Sequence, residues 1–372
     1  MKVLVLSNSI SGLFSFRKEV FQEFRNLGWE VVISSPIEND NGIADWFTSI
    51  GCELIDTTFE RQGMNPLADF KLMLYYRKLI KRVKADVVLS YTIKPNLYGG
   101  VAAWLCGVPQ FANITGLGAA VEYPGMLQKI TILLYKICMR RTRLVFFQNN
   151  DNLQFCLKHK MVRGRTKLIP GSGVNVEYHQ QQPYPAENEP VRFLFCSRIR
   201  KEKGIEEFLA AAEYIHKRYP NTEFHLLGRC EGDYQEKIKQ LAEQGIVTYH
   251  GRLPDVRPFY AQASMTILPS YYPEGMNNVL LESSATGRPI MTCDRPGCRE
   301  IVDDGLTGYI VRQQDAQDVI SKVEAFLALP HAERIKMGNA ARHKVEQEFD
   351  RRKVVKAYVD EIKSIQVYYF YY

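Results

Sequence analysis

The sequence lacks the features that mark a zinc site, a redox-active dithiol or a membrane-spanning segment. Its eight cysteines include no C-x-x-C pair, and its seven histidines show no metal-ligand spacing. No run reaches the ~20 apolar residues that a bilayer-spanning helix needs. The apolar stretch in "MKVLVLSNSI" is too short for a signal peptide and lacks a small-residue cleavage site. We therefore expect a cytoplasmic protein with reduced cysteines.

The length and composition are those of an ordinary globular protein with more than one domain. At 372 residues the chain suits two domains of moderate size, and its apolar fraction of 46% is enough for a full core. The 48 Lys and Arg exceed the 41 Asp and Glu by a modest +7. That surplus favours anionic partners but gives no reason to expect nucleic-acid binding.

Short apolar runs alternate with helical segments along the chain, which predicts parallel βαβ units with right-handed crossovers. The polar stretch 179–190 interrupts this rhythm, and the pattern then restarts. We therefore predict an α/β protein with two doubly wound domains, 1–184 and 185–350, and a ligand at the carboxyl ends of the strands, in a cleft between the halves. A last helix within 351–372 either packs back on the first domain or stays separate. The predicted strands are "KVLVLSNS", "EVVISSP", "DVVLSYT", "PQFANITG", "RLVFFQN", "VRFLFCS", "TEFHLLG", "VTYHG", "MTILPS", "PIMTCD" and "GYIV".

The stretch "YPEGMNNVLLE" places two glutamates around the start of a predicted helix. Glu274 falls in the Pro/Gly turn, Asn277 or Asn278 is the expected N-cap, and Glu282 lies about one turn into the helix. A helix N-terminus attracts anions, whereas a carboxylate accepts hydrogen bonds from hydroxyl groups. The pattern therefore predicts a ligand with phosphate in its middle and a polyol at each end.

The loop "RIRKEKG" follows a predicted strand and contains Arg198 and Lys203. An arginine fork and a lysine point charge can together neutralise a diphosphate. Because Arg200 and Lys201 are also present, an ordinary solvated basic loop remains the alternative. Two further loops are candidates, each with a plain turn as its alternative: Gly12 after the first strand, and Arg252 with Leu253 in "GRLPDV", where a base could stack.

The predicted first domain offers polar residues in two strand-end loops. Lys94 and Asn96 lie in "SYTIKPN", and Asn113 and Thr115 lie in "NITGLG". We expect them to face the second substrate or the transferred group. The neighbouring "GLGAAV" has Val121 where a dinucleotide fingerprint needs its third glycine, and it follows a later strand, so we reject NAD binding.

Two segments raise the question of a membrane. Residues 126–143, "MLQKITILLYKICMRRTR", have apolar side chains at helical spacing together with five basic residues. Such a segment either lies on an anionic membrane or packs on the first domain's sheet with a solvated basic end. The aromatic tail "VYYFYY" either sits at a bilayer interface or is a disordered end.

The chain resembles the retaining glycosyltransferases of family four in three motifs that follow one another in order: "SRIRKEKG", "LPSYYPEGMNNVLLES" and "PGCREIVDDGLTGYIV". The resemblance covers essentially the whole chain and implies two Rossmann-like domains facing across a cleft, the GT-B fold. The "SYTIKPN" and "ITGLG" segments look like the branch that builds bacterial surface polysaccharides on polyprenyl diphosphate carriers. The implied enzyme moves a hexose or N-acetylhexosamine from a nucleotide sugar, UDP-linked in our expectation, to a lipid-linked saccharide, and it works in the cytoplasm or at the inner face of the membrane.

The resemblance also implies a role for each matching residue. Arg198 and Lys203 would hold the donor diphosphate and stabilise the leaving group, and Glu274 would hold hydroxyl groups of the donor sugar. Glu282 would bind the ribose. Backbone N–H groups of a short segment would meet phosphate and sugar, namely those of Gly275, Met276, Asn277 and Asn278.

One departure concerns the first-domain loop "NITGLGAAV", where many family members have a histidine and this chain has none. Asn113, Thr115 or a backbone carbonyl are the open replacements. No Asp-x-Asp motif indicates a metal, so neither a metal nor another cofactor is expected, and the family's mechanism has the acceptor attack on the face from which the diphosphate leaves. Two other functions stay open: a sugar-nucleotide epimerase of the same architecture, and a catalytically silent nucleotide-sugar-binding protein.

Overall fold

The computed structural model describes residues 1–37, 42–59 and 65–369 and forms two compact units. The first unit combines Met1–Ser172 with Arg351–Tyr372, and the second is Gly173–Asp350. The aromatic side chains of the tail at 367–372 lie outside the described residues.

Each unit is built on one parallel sheet. Within the described residues the first sheet has the strand order β3-β2-β1-β4-β5-β6-β7, and the second has β10-β9-β8-β11-β12-β13. Both orders reverse direction beside the first strand of their unit, as doubly wound sheets do. The strands are β1 (Lys2–Leu6), β2 (Glu30–Ser35), β3 (Glu53–Asp56), β4 (Val87–Tyr91), β5 (Gln110–Ile114), β6 (Leu144–Phe147), β7 (Arg165–Leu168), β8 (Val191–Cys196), β9 (Thr222–Leu227), β10 (Thr248–Tyr249), β11 (Met265–Leu268), β12 (Ile290–Cys293) and β13 (Gly308–Val311).

Helices connect most successive strands and bury one face against the sheet, and the last helices of the chain follow β13. Side chains of Ser9, Asn65 and Asn149 cap the first, third and sixth helices by accepting backbone N–H groups of the first turn. The helices are α1 (Ile10–Asn26), α2 (Ile43–Ser49), α3 (Pro66–Val83), α4 (Ile93–Leu105), α5 (Met126–Cys138), α6 (Asn150–Lys158), α7 (Ile205–Arg218), α8 (Tyr234–Glu243), α9 (Arg257–Gln262), α10 (Asn278–Ala285), α11 (Ala316–Ala328), α12 (His331–Glu348) and α13 (Arg351–Tyr369). Among the described helices none is both long and apolar enough to cross a membrane.

The predicted strands all form, and the structure adds β3 and β7, which the sequence analysis missed. Both are edge strands of the first sheet, with sequences ELID and RTKL and with no fully buried residue. The central strands bury nearly every residue and therefore read as apolar runs. An edge strand that is half exposed lacks that signal.

The second unit begins at Gly173, so the division lies before the predicted boundary of 184/185. The polar stretch thought to be a linker instead packs within the second unit. Buried Arg288 donates hydrogen bonds to the carbonyl oxygens of Gln182 (3.2 Å) and Pro183 (2.6 Å), and Arg342 donates to that of His179 (2.7 Å). Two buried guanidinium groups thus fix a segment whose polar composition resembles that of a free linker.

Helix α13 returns to the first unit and packs on α1. Val354, Tyr358 and Ile362 are fully buried in the core that includes strands β1, β2 and β4. At the start of the helix, Arg351 Nη1 lies 2.8 Å from Glu19 Oε2. The chain therefore completes its first unit with its last helix.

Candidate functional site

Two loops at the carboxyl ends of β8 and β11 are joined by backbone hydrogen bonds. The N–H groups of Tyr271 and Tyr272 both donate to the carbonyl oxygen of Glu202, at 3.0 and 2.9 Å. Gly204 ends the first loop with φ +82°, and a Cβ there would lie 2.4 Å from the carbonyl oxygen of Pro269. The close approach of the loops therefore requires glycine at this position.

Three cations of the first loop surround the ring of Tyr272. Its centroid lies 5.9 Å from Arg198 Cζ, 5.4 Å from Arg200 Cζ and 4.9 Å from Lys203 Nζ. The π face of a ring attracts cations, so Tyr272 offsets part of the repulsion between them. The Arg198 side chain is 47% exposed, so a ligand can reach it.

Acidic side chains pair with the two arginines of this loop. Glu231 Oε2 lies 3.7 Å from Arg198 and 4.0 Å from Arg200, because residues 199 and 230 form a bridge that extends the pairing of β8 with β9. A hydrogen bond from Arg229 lowers the pKa of Glu231, and one from Arg200 lowers the pKa of Glu202. Both carboxyl groups are therefore ionised near neutral pH.

Lys203 contacts Glu274 directly through Nζ and Oε1. Their side chains are 8% and 20% exposed, so the pair is largely removed from water. Charges attract each other more strongly in the protein interior than in water. The structure thus brings together three residues that the sequence analysis placed at the reacting end of the ligand: Arg198, Lys203 and Glu274.

Helix α10 starts beside this pair. Asn277 is the N-cap, and its Oδ1 accepts the N–H of Leu280 at 3.5 Å. Its own N–H donates to the carbonyl oxygen of Gly297 at 2.8 Å. The sequence analysis expected this N–H to face a phosphate, but in this structure it is engaged within the protein. Met276 is 6% exposed and belongs to the core of the second unit.

Gly297 supports the loop before α10 from behind. It has φ +83°, and a Cβ would lie 2.8 Å from the carbonyl oxygen of Gly275. The Nδ2 group of Asn277 faces the Sγ of Cys298 at 3.7 Å, and burial raises the pKa of that thiol to about 12. Cys298 is therefore a neutral packing group and no nucleophile.

Glu282 lies one turn into α10, where the buried phenol of Tyr260 donates to its Oε2 at 3.1 Å. Burial raises the pKa of Tyr260 well above its ordinary value, so the phenol stays protonated and remains a donor. Leu253 is half-buried against the small core that contains Tyr260, whereas Arg252 is exposed. These residues place a carboxylate beside the predicted base-binding loop.

The residues predicted for the other substrate belong to the first unit, and most of them already serve the fold. Lys94 Nζ pairs with Asp69 Oδ1 at 2.8 Å, with side chains 12% and 11% exposed. Asn96 donates to the carbonyl oxygen of Asn113 at 2.7 Å, and each is 1% exposed. Their side chains therefore do not face a substrate in this structure, which corrects the expectation.

Asn113 ties the C-terminal helix to the sheet. Its Nδ2 donates to the carbonyl oxygen of Ser90 at 3.2 Å, and its Oδ1 accepts the hydroxyl of Tyr358. Thr115 follows β5 and is half-buried. Gly12 lies in the first turn of α1, where its N–H donates to Ser9 Oγ at 3.1 Å, and its φ is not in the left-handed region.

Sequence reasoning missed Tyr272 and Glu231 as parts of the site. Tyr272 precedes the Pro-Glu-Gly turn directly, and that adjacency was a signal. Glu231 had none, because it meets Arg198 only through strand pairing. Among the described residues no group of three or more His, Cys, Asp or Glu side chains is arranged to hold a metal ion, and all eight cysteines are free thiols.

Two family models match the chain, one in each half. Residues 2–149 match the model described as "Glycosyl transferase 4-like", and residues 190–328 match "Glycosyl transferases group 1". Together the two matches cover well over half of the chain.

Full-length relatives include two bacterial enzymes. The N,N'-diacetylbacillosaminyl-diphospho-undecaprenol alpha-1,3-N-acetylgalactosaminyltransferase of Campylobacter jejuni is 23% identical, over 88% of this chain and 89% of its own length. The UDP-Gal:alpha-D-GlcNAc-diphosphoundecaprenol alpha-1,3-galactosyltransferase of Escherichia coli is 24% identical, over 82% and 81%.

Solved structures show the same architecture. A glycosyltransferase from Rickettsia africae superposes with a TM-score of 0.78 at 19% identity over 98% of both chains. The Anabaena protein HepE in complex with UDP gives 0.79 at 15% identity over 98% of this chain and 100% of its own. The fold is therefore the two-domain GT-B arrangement of Rossmann-like units, and the chain belongs to the glycosyltransferases with a glycosyl transferase 4-like first half and a group 1 second half.

Proposed function

We propose that the enzyme is a retaining glycosyltransferase of bacterial surface polysaccharide synthesis. It moves a hexose or N-acetylhexosamine from a UDP-sugar to a hydroxyl group of a polyprenyl-diphosphate-linked saccharide. The observation that carries the proposal is the cluster of Arg198, Arg200 and Lys203 around Tyr272, with Glu274 in contact with Lys203.

Arg198 and Lys203 hold the donor diphosphate in this proposal. Transfer leaves negative charge on the nucleoside diphosphate, and preorganised cations in a site of restricted water stabilise that charge. Arg198 is exposed enough to form a bidentate contact. Lys203 adds a point charge, while its contact with Glu274 keeps the ammonium in place before the donor arrives.

Glu274 and Glu282 bind the two hydroxyl-bearing ends of the donor. Glu274 accepts hydroxyl groups of the sugar beside Lys203, and the N–H groups of Gly275, Met276 and Asn278 face phosphate and sugar at the start of α10. Glu282, oriented by the phenol of Tyr260, accepts the ribose hydroxyls. Arg252 and Leu253 flank the base.

The linkages of two relatives support the retaining part of this proposal. The Campylobacter jejuni and Escherichia coli enzymes are named as alpha-1,3-transferases, and the second is named for UDP-Gal as its donor. The galactose of UDP-galactose is joined to the diphosphate in the α configuration. For an α donor that gives an α product, the proposed route is attack by the acceptor hydroxyl on the face from which the diphosphate leaves. The donor phosphate takes the proton of that hydroxyl as the bond between the sugar and the diphosphate breaks. Arg198 and Lys203 supply the positive charge in this reaction, so no step calls for a divalent cation.

The acceptor in the proposal is a lipid-linked saccharide, because the same two relatives are named for undecaprenyl diphosphate acceptors. In the first unit, Thr115 and the N-terminus of α1 at Gly12 are retained as candidates for contact with the substrates. The enzyme then works at the cytoplasmic face of the membrane, where a lipid-anchored acceptor and a nucleotide sugar meet. Fractionation of cells should place it with membranes at low salt.

Nucleotide binding is the first test. Thermal unfolding is recorded with UDP, GDP, ADP or CDP, because a ligand that binds only the folded state raises the melting temperature. We expect a selective shift with UDP that is lost in Lys203→Ala and kept in Lys201→Ala. No shift with any nucleotide would contradict the assignment of the site.

Transfer is the second test, with UDP-GalNAc, UDP-Gal and UDP-Glc offered with and without an undecaprenyl-diphosphate-linked saccharide. We expect transfer only when the acceptor is present, an α linkage in the product, and unchanged rates in EDTA. Conversion of a UDP-sugar without acceptor would instead identify an epimerase, and UDP binding without any turnover would identify a silent binding protein.

A further inference from the structure

Helix α5 has apolar side chains on two opposite faces. Its inner face buries Ile132 and Tyr135 in the core of the first unit. The outer face carries Met126, Ile130, Leu133 and Ile137, which are 73%, 42%, 56% and 60% exposed. Their spacing of four, three and four residues forms one continuous stripe on a helix. Packing on the sheet therefore explains only half of the apolar character of α5.

Basic side chains border this outer stripe. By helical periodicity, Lys129 and Lys136 lie together along one side of it, and Arg140 follows the end of the helix by two residues; all three are exposed. Residues 119–148 contain five basic residues but a single acidic one, Glu122. Long basic side chains at the border of an apolar stripe can reach anionic headgroups while the stripe enters the acyl region.

The surface continues at the end of α4. Trp104 is 54% exposed and Leu105 is 44% exposed. Trp104 lines a concavity of about 400 Å³ together with Arg141 and Arg143. Tryptophan is favoured at the level of lipid headgroups, and arginine binds phosphate. An exposed indole beside two guanidinium groups therefore fits the boundary between water and an anionic bilayer.

We propose that the outer face of α5, with Trp104 at its end, is the surface by which the enzyme docks on an anionic lipid bilayer. The charge pattern favours a bilayer over a second copy of the chain, because self-association through this face would bring two surfaces with the same positive excess together. The inference deepens the membrane location in the proposed function, but it concerns docking and requires no sugar transfer.

Vesicle flotation tests the proposal with the full chain. We use phosphatidylcholine vesicles with and without phosphatidylglycerol, at low and at physiological salt. The wild type should bind only the vesicles that contain phosphatidylglycerol, and more weakly as salt rises. Failure of the wild type to bind either vesicle would overturn the inference.

Two double variants locate the surface. Leu133→Ser/Ile137→Ser removes apolar surface without changing charge and should weaken vesicle binding about tenfold or more. Lys129→Glu/Lys136→Glu should weaken it by a similar factor and remove the preference for phosphatidylglycerol. Because all four side chains are exposed, both variants should fold and keep the wild-type melting temperature and UDP shift.

Matched variants elsewhere on the surface serve as controls. Leu157→Ser/Leu306→Ser removes two leucines that are 44% and 60% exposed, and Lys237→Glu/Lys239→Glu makes the same charge change on α8. Both should bind vesicles as the wild type does. Equal losses in test and control variants would mean that general charge or hydrophobicity drives binding, and that result would overturn the assignment to α5.

Two further readings complete the test. Light scattering measures whether the wild type forms a dimer. A dimer that Leu133→Ser/Ile137→Ser dissociates, while that variant still binds vesicles, would assign the face to self-association and overturn the inference. Transfer to an acceptor in detergent micelles without any vesicle binding would also overturn it while leaving the proposed function standing. Vesicle binding through α5 without any transfer would support docking and contradict the proposed function.

Discussion

The two units place polar residues at equivalent positions, the carboxyl ends of parallel strands, but they use them differently. In the second unit, Arg198 keeps about half of its side-chain surface exposed beside Lys203 and Glu274. In the first unit, Asn96 and Asn113 are almost fully buried, and Asn96 Nδ2 donates a hydrogen bond to the carbonyl oxygen of Asn113. A charged group is costly to bury without a partner, so Arg198 stays near water where a ligand can reach it and the buried Lys203 is paired with Glu274, whereas a neutral amide can be absorbed by the fold.

The comparison also separates two kinds of strand-end loop. The loops of the second unit are fixed by backbone contacts, such as those of Glu202 with Tyr271 and Tyr272, which leave the side chains to face a ligand. The first unit instead fixes its loops through side chains, with Asn113 as the central member. Substitutions of charged residues in the second unit should therefore impair catalysis, and those of the amides in the first should impair stability.

The largest effect is expected for Lys203→Ala. Loss of one preorganised contact to the developing charge should reduce kcat by about 10²- to 10³-fold. Steady-state transfer from a UDP-sugar to a lipid-linked acceptor measures this loss. Lys201→Ala is the matched control, because Lys201 is two residues away, 60% exposed and 3.6 Å from Glu206.

Lys201→Ala should keep near-normal activity. Equal losses in the two variants would mean that the loop acts through its total charge, and the distinction between a placed cation and a solvated one would disappear. Normal transfer by Lys203→Ala would contradict the assignment of the site.

Glu282→Ala should have the next largest effect, on binding rather than on turnover. Hydrogen bonds to a charged group contribute about 1.5–3 kcal/mol, so UDP affinity should fall by roughly ten- to a hundredfold. Calorimetric titration with UDP measures it, and Glu243→Ala on the exposed side of α8 is the control. An unchanged affinity would remove the ribose role from Glu282.

Asn113→Ala should destabilise the first unit and leave the second unit's nucleotide site intact. The substitution leaves the hydroxyl of Tyr358 without its acceptor in a buried setting, which costs about 1–3 kcal/mol. Denaturant unfolding should show the loss, and UDP affinity should match the wild type. Asn150→Ala, at an exposed position on α6, should change neither quantity.

A first-unit role in substrate binding would give the opposite result for Asn113→Ala. Slow transfer with unchanged stability would mean that the amide acts on a substrate, and the contrast between the units would fail at this residue.

The sequence predicted the parts of the molecule that depend on neighbouring residues. The apolar runs of β1, β4 and β8 predict buried parallel strands, and "YPEGMNN" predicts the turn and cap before α10. The same local signals placed Arg198, Lys203 and Glu274 in loops after strands. The edge strands β3 and β7 carry little apolar signal because much of their surface faces water.

The remaining parts depend on contacts between residues far apart in the chain. Arg288 fixes a segment more than a hundred residues earlier in the chain. The local sequence of that segment shows only its polar composition, which is why it was predicted to be a linker. The pairing of Lys94 with Asp69 and of Asn113 with Tyr358 is likewise invisible in the local sequence. Sequence alone therefore showed which side chains lie near strand ends, but it did not show which of them the fold engages.

The smallest predicted effect is a pH dependence confined to the second unit. His250 Nε2 lies 2.9 Å from His225 Nδ1 at the edge of the sheet, and His225 Nε2 lies 3.2 Å from Glu223 Oε2. Burial of the ring, and then the charge of His225, lowers the pKa of His250 below its ordinary value of 6.5. The folded state thus binds this proton less readily than the unfolded chain does.

The contribution of His250 to the free energy of unfolding is therefore fully present above pH 6.5. It is lost as the pH falls through the lower pKa of the folded state. The melting temperature of the transition that UDP shifts should decline over this acidic range. His250→Gln keeps a side chain that can bond His225 but does not titrate, so its decline should be shallower. An identical decline in wild type and variant would assign the acid sensitivity to other groups, and a decline only in the transition that UDP leaves unshifted would move it to the first unit.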